Sequence, residues 1–206
     1  EGRLAGGDPD QLDQDFEARQ QELQDQFQFI AAANLGAEFF DQDKIARLQE
    51  IAKQTWVRHF DDSLDLAWEE SQRRLAHSPA ADQLPVVEQL LSDQPWQRKK
   101  RSESEALPEG YGFDLDVPED TFNYGELHNL SVSRGTLTPE ERYKINEHIV
   151  QTIKMLERLP FPKHLSTVPE LAGGHHEKMD GTGYPKRLSK EDMSPVARMM
   201  AIADIF

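Results

Sequence analysis

The chain has 206 residues, 38 of them acidic and 23 basic, for a formal charge of −15. A surface of that sign repels polynucleotide backbones and anionic membranes, and no apolar run approaches the roughly 18 residues that cross a bilayer. The absence of cysteine excludes disulfide scaffolds, zinc knuckles and thiol nucleophiles, so any metal must be held by His, Asp or Glu.

The Glu1-Gly-Arg-Leu-Ala-Gly-Gly7 start lacks the charged and apolar regions of a signal peptide. The chain reads as soluble and cytoplasmic, and both ends read as internal to a longer protein. Leu12, Phe16, Leu23, Phe27 and Ile30 then form a narrow apolar stripe within residues 1–33. One reading is an amphipathic helix packed on its own domain. The other is a linker or signalling helix that pairs with a second copy, as a homodimer, and connects to an upstream sensor domain.

After Asn34-Leu-Gly36, Asp43 is expected to cap a helix carrying Ile45, Leu48, Ala52, Trp56 and Phe60 on one face. A further helix is expected from Leu66 to Leu75. Residues 76–123 lose periodicity, are rich in Pro and Gly, and read as an irregular insertion with one short helix at Val86–Leu91. Within it, Arg98-Lys99-Lys100-Arg101 reads as a solvated loop, with contact to an acidic partner as the alternative.

From Thr138 the signals sharpen. Thr138-Pro139-Glu140-Glu141 combines an N-cap, a proline at the first helical position and a capping-box Glu, ahead of Ile145, Ile149, Ile153 and Leu156. Thr167-Val-Pro-Glu170 predicts a second helix running into His175-His176. Ser194-Pro195 predicts a third, with Val196, Met199, Met200 and Ile202 as its core side. No segment shows strand alternation, so the expected class is all-α.

Four residues carry the chemistry. His148 lies beside the apolar stripe of its helix, His175 and His176 are adjacent, and Asp204 stands among Ile202, Ala203, Ile205 and Phe206. A carboxylate in apolar surroundings is costly to bury unless it is paired or metal-bound, so Asp204 is expected to be largely buried. Adjacent helical histidines differ by about 100° in direction and can address two metals, or one metal and one substrate oxygen. Each His alone reads as an ordinary core or surface residue. The combination points to a thiol-free centre for iron, manganese or zinc.

His175-His176-Glu177-Lys178-Met179-Asp180-Gly181-Thr182-Gly183-Tyr184-Pro185 resembles the HHExxDGxGYP signature of HD-GYP proteins, bacterial relatives of the HD phosphohydrolases that hydrolyse cyclic dinucleotides, chiefly cyclic di-GMP. Pro195-Val-Ala-Arg-Met-Met-Ala-Ile-Ala-Asp-Ile-Phe206 is similar to that family's continuation, and Arg134 to Glu141 followed by His148 resembles its GKLTxEE…H stretch. The resemblance implies an HD-type helical bundle over residues 34–206, lacking its final helices. It implies a divalent metal held by His148, His175, His176 and Asp204, with His175, His176 and Asp204 catalytic. Lys178, Gly181, Gly183, Tyr184, Pro185 and Arg198 would lie on the substrate side. Arg198 reads equally as a salt-bridge partner of Glu177 or Asp180.

The adjacent His-Asp pair of that family, upstream of His148, falls here on Glu119-Asp120, and no His-Asp dipeptide occurs in the chain. Glu126, His128, His59 with Asp61 or Asp62, and His77 are the candidates to replace it. The expectation is a metal-dependent phosphodiesterase of cyclic dinucleotides with an incomplete centre. The alternative is a degenerate module that binds a ligand or protein partner without turnover.

Overall fold

The computed structural model describes residues 8–64, 66–78 and 83–205. The expected linker at the extreme N-terminus and Phe206 lie outside them. The described residues form two compact units, one of residues up to Arg98 plus Asn123–Leu137, the other of Lys99–Phe122 plus Thr138 onward. Helices dominate both, in keeping with the all-α expectation, but three short two-stranded ladders accompany them.

In the first unit, helix α1 (Pro9–Asn34) starts at Asp8, whose carboxylate accepts the Asp10 N–H. Its stripe is largely uncovered, with Phe16 68% and Phe27 75% exposed. Strand β1 (Ala37–Phe39) follows, then helix α2 (Gln42–Ala52). The α2 cap is Asp41, not Asp43: its carboxylate accepts the Lys44 N–H at 2.9 Å. The helix also stops at Ala52 rather than continuing through Trp56 and Phe60. Thr55–Arg58 is strand β2, paired antiparallel with β3 (Val86–Gln89), the stretch expected to be helical. The i, i+4 apolar spacing suits a helix, but the β-branched Thr55, Val57, Val86 and Val87 favour a pleated ladder, in which Val57 stands opposite Val87.

Helix α3 (Trp68–His77) lies between these strands in sequence. The unit closes with helix α4 (Glu126–Leu130), reached after residue 123, and strand β6 (Arg134–Gly135), which pairs with β1. Its core is Phe40, Leu48, Ala52 and Leu91, with Phe29, Ile30, Ile45, Leu127 and Leu130 packed around them. Arg58 is 2% exposed, yet is accounted for: Nε donates to Glu88 at 2.9 Å, Nη1 donates to Phe60 O, and Asp62 lies 3.2 Å away.

The basic run, which leads into the second unit, is not a free loop. Arg98–Lys100 is strand β4, paired with β5 (Asp120–Asn123). Lys100 bonds Glu119 and Asp120, while Arg101 donates to Pro118 O and Asp120 O and lies over the Tyr143 ring. Helix α5 (Pro139–Glu157) begins with the expected capping box: Thr138 Oγ1 accepts the Glu141 N–H, and Glu141 accepts the Thr138 N–H. Ile149, Val150 and Ile153 are its buried face. Helix α6 (Val168–Gly173) packs on α5 through Gly173, where a Cβ would fall 2.8 Å from Ile153.

Helix α7 (Pro195–Ile205) is rotated from expectation. Ala197 and Ala201, with Met193, are buried against Leu171 and Leu188, whereas Val196, Met199, Met200 and Ile202 are exposed. Small side chains let this helix approach closely, and the larger residues face outward.

Candidate metal centre

The His pair sits just beyond α6 rather than on it. The helix ends at Gly173, and His175 and His176 occupy the turn that follows. The last turn of residues before each ring fixes its direction. His148 Nδ1 lies 2.6 Å from Ile145 O, and His175 Nδ1 lies 2.6 Å from Ala172 O. A carbonyl only accepts, so both Nδ1 atoms carry hydrogen and both Nε2 atoms of the neutral rings are left with a lone pair.

His176 is set differently. Its Nδ1 lies 3.2 Å from Asp204 Oδ2, and its Nε2 lies 3.3 Å from His148 Nε2. With Nδ1–H donated to the carboxylate, the His176 and His148 lone pairs point at one another. Burial holds the His176 imidazole below its ordinary pKa, the neighbouring charges of His175 and His148 add to this, and Asp204 opposes it. The ring therefore favours its neutral form, the one that ligates.

Among the described residues, His148, His175 and His176 form the cluster able to hold a metal ion, each offering one atom within 4.8 Å of the others. Three converging imidazole lone pairs without hydrogen-bond donors between them fit a divalent transition ion. Asp204 lies outside this set. Its side chain is 42% exposed, contrary to the expected burial, and its carboxylate lies 3.2 Å from His176 Nδ1.

The Gly-rich segment builds the floor. Tyr184 stacks on His176, with ring centroids 4.7 Å apart, and its N–H donates to His176 O. Burial first, then the Asp204 charge, raise the Tyr184 phenol above its usual pKa, so it remains a proton donor. Gly183 admits no side chain, since a Cβ would fall 2.2 Å from Lys178 N. Gly181 holds φ +77°, which glycine adopts at no steric cost. Glu177, expected only as a possible salt-bridge partner of Arg198, is buried: its two oxygens accept the Lys186 and Leu188 N–H groups at 2.7 and 2.9 Å. Burial raises its pKa, against those two bonds and Lys186. A signal was available, because a Glu directly after a ligand pair can anchor the loop that returns to it.

Lys178 is exposed, and Pro185 is fully buried. Arg198 makes no ion pair with Glu177 or Asp180: Asp180 is occupied by Thr182, and Arg198 Nε is buried without a hydrogen-bond partner. The candidate replacement ligands belong to the first unit. There Asp61 is held by Ser63, which keeps its pKa low. Glu126 accepts the Ser92 N–H, and the His128 N–H is donated to Asp93. Asp62 pairs with Arg58 and Arg74, and His77 Nδ1 meets Arg73 O. His59 is exposed. No candidate joins the three-His cluster.

Comparison with known proteins adds a family. The HD domain family matches residues 85–206. The chain is 41% identical over 91 residues to a cyclic di-GMP phosphodiesterase of Vibrio cholerae, covering 42% of this chain and 18% of that protein. It is 38% identical over 73 residues to a 3'3'-cGAMP-specific phosphodiesterase of the same organism, covering 35% and 15%. A cyclic di-GMP phosphodiesterase of Thermotoga maritima is 26% identical over 114 residues, covering 54% and 31%. The chain thus spans less than a third of each of these curated relatives. No solved structure matches it.

Proposed function

The chain belongs to the HD domain family, in its HD-GYP branch, and on that premise we propose that it is a metal-dependent phosphohydrolase opening a phosphodiester bond of a cyclic dinucleotide, cyclic di-GMP first. The observation that carries this reading is the convergence of the His148, His175 and His176 nitrogens, with two Nδ1 hydrogens tied to carbonyls and the third to a carboxylate.

Iron, manganese or zinc would be held by those three imidazoles. Such an ion lowers the pKa of a bound water and stabilises charge developing on a phosphoryl oxygen. The chain's own residues do the rest. Asp204 accepts the His176 Nδ1–H and so fixes that ring's tautomer and raises its basicity, the usual task of a carboxylate behind a ligating histidine. Tyr184 packs beneath His176 and offers a protonated phenol. Lys178 and Arg198 supply cations for phosphate oxygens on a chain that is otherwise strongly acidic, and Gly181 and Gly183 let the substrate approach the loop backbone.

A two-metal hydrolase holds its ions about 3.5–4 Å apart on a bridging carboxylate. The described residues offer one cluster, and Asp120, at the position of the family's bridging Asp, is bound to Lys100. This supports a single-ion centre with slow turnover. The uncovered stripe of α1 supports that helix as the surface for a second copy, below an upstream sensor domain in the cytoplasm. The test is elemental analysis of the purified protein together with product analysis after incubation with cyclic di-GMP and 3'3'-cGAMP. Linear dinucleotide formed in proportion to bound metal is the expected result. Bound metal with ligand binding and no product would leave a binding module instead.

A further inference from the structure

The loop beneath His176 is gripped from two sides. On the inner side Glu177 takes the Lys186 and Leu188 N–H groups. On the outer side a segment from the former "insertion" lies along the same residues. The Asp114 N–H donates to Pro185 O at 2.7 Å, directly after Tyr184. Arg187 turns back over this segment: Nε donates to Asp114 O at 3.1 Å, and Nη2 meets Asp116 Oδ1 at 2.5 Å. Lys186 Nζ lies 5.8 Å from the Phe113 ring centre, and Phe113 is stacked on Tyr111.

Arg187 also holds φ +53°, the one positive φ among the described non-glycine residues. That conformation is unfavourable for a residue with a side chain, and persists only where the surroundings enforce it. A solvent-exposed ion pair alone would be too weak to do so. Here it acts together with the backbone bond from Asp114 N–H to Pro185 O, the bond from Arg187 Nε to Asp114 O and a cation–ring contact on the adjacent residue.

We propose that residues Tyr111–Asp116 are a strap that fastens the Tyr184 loop against His176, with Arg187 as its clasp. Arg187 is a positioning residue: it acts through Pro185 and Tyr184 on the orientation of the His176 ring, and the inference rests on the proposed role of that ring as a metal ligand. Residues 111–116 lie outside the HHExxDGxGYP signature and within the stretch that matches the HD domain family.

The test is Arg187→Gly in the full chain. Glycine accepts φ +53° freely, so the variant removes the clasp while relaxing the backbone. Amide hydrogen exchange should quicken at Asp114, Lys186 and Leu188 but not along α5. Mn²⁺ affinity, read by its EPR signal, should fall about 10-fold, the usual scale for a group supporting a metal ligand. The pair Arg187→Asp with Asp116→Arg should recover most of the affinity, which a general loss of stability would not allow. Asp116→Asn, a milder change, should show the same effects at smaller size. Faster exchange at 184–188 with unchanged Mn²⁺ affinity would overturn the positioning role, and unchanged exchange there would overturn the strap. If the wild-type protein binds no Mn²⁺, the metal reading fails, and exchange at 184–188 in Arg187→Gly alone decides the strap.

Discussion

His148 Nε2 and His176 Nε2 stand 3.3 Å apart, and the opposite nitrogen of each ring is already committed, one to Ile145 O and the other to Asp204. Two neutral rings so arranged face each other lone pair to lone pair, an unfavourable contact that a shared cation converts into a favourable one. His175→Ala or His176→Ala should therefore abolish bound iron, manganese or zinc, measured by elemental analysis after exhaustive dialysis. His164→Ala, at an exposed position in the 3-10 turn Lys163–Leu165, should leave it unchanged. Equal metal content in all three variants would remove the centre.

Asp204→Ala separates a ligand from a supporting carboxylate. Acting through His176, Asp204 should be worth about 10–100-fold in metal affinity, not all of it. Its exposure implies a stability change within about 0.5 kcal/mol in urea unfolding. Metal loss as complete as in His175→Ala would make Asp204 a direct ligand.

Glu126→Ala, His128→Ala, His59→Ala and Asp61→Ala should each retain full metal content and turnover, because the carboxylates of Glu126 and Asp61 already accept local N–H groups and neither histidine joins the His cluster. A loss confined to one variant, in a parallel assay of all four, would identify a second-site ligand.

Gly183→Ala should disable the centre without touching a polar group. The added methyl would lie 2.2 Å from Lys178 N and 2.5 Å from Glu177 Cα, both backbone atoms that cannot swing aside. The loop must lift, and Tyr184 with it. Displacements of this order at a site can cost about 100-fold in rate, so hydrolysis should fall on that scale. Gly112→Ala, with open space around it, is the comparison that reports backbone strain alone.

Arg58→Ala should destabilise the first unit. Removing one member of a buried ion pair costs about 3–5 kcal/mol, and the lower end applies because Glu88 and Asp62 remain partly hydrated. The midpoint of chemical unfolding, followed by Trp56 fluorescence, is the measurement. An unchanged midpoint would show that the guanidinium contributes nothing beyond packing.

What the sequence made legible was local. The Thr138 capping box depends on residues three apart, and the His-Gly-Tyr segment is one continuous stretch, so both could be read directly. Partners far apart in sequence could not. Trp56 and Phe60 match helical spacing as well as any core residue, and only the meeting with Val86–Gln89 makes Thr55–Arg58 a strand. The basic run looked unpaired because Glu119 and Asp120, which neutralise Lys100, lie 19 residues or more away in sequence. On α7 the largest apolar residues suggested the inner face, while close approach selected alanines. Asp204 was misjudged with them, since Ile202 and Ile205 beside it are themselves exposed.

The carbonyls that orient His148 and His175 belong to the same short stretches of chain as the rings, three residues back in each case. Ring orientation at these two positions is thus inherited from one turn of backbone and does not wait on distant packing. Stripping and reloading should then behave as a simple encounter: uptake first order in free metal, one kinetic phase, and the same rate constant after repeated cycles of chelation. Rings without such local anchors would instead show a slow, metal-independent step while they reoriented.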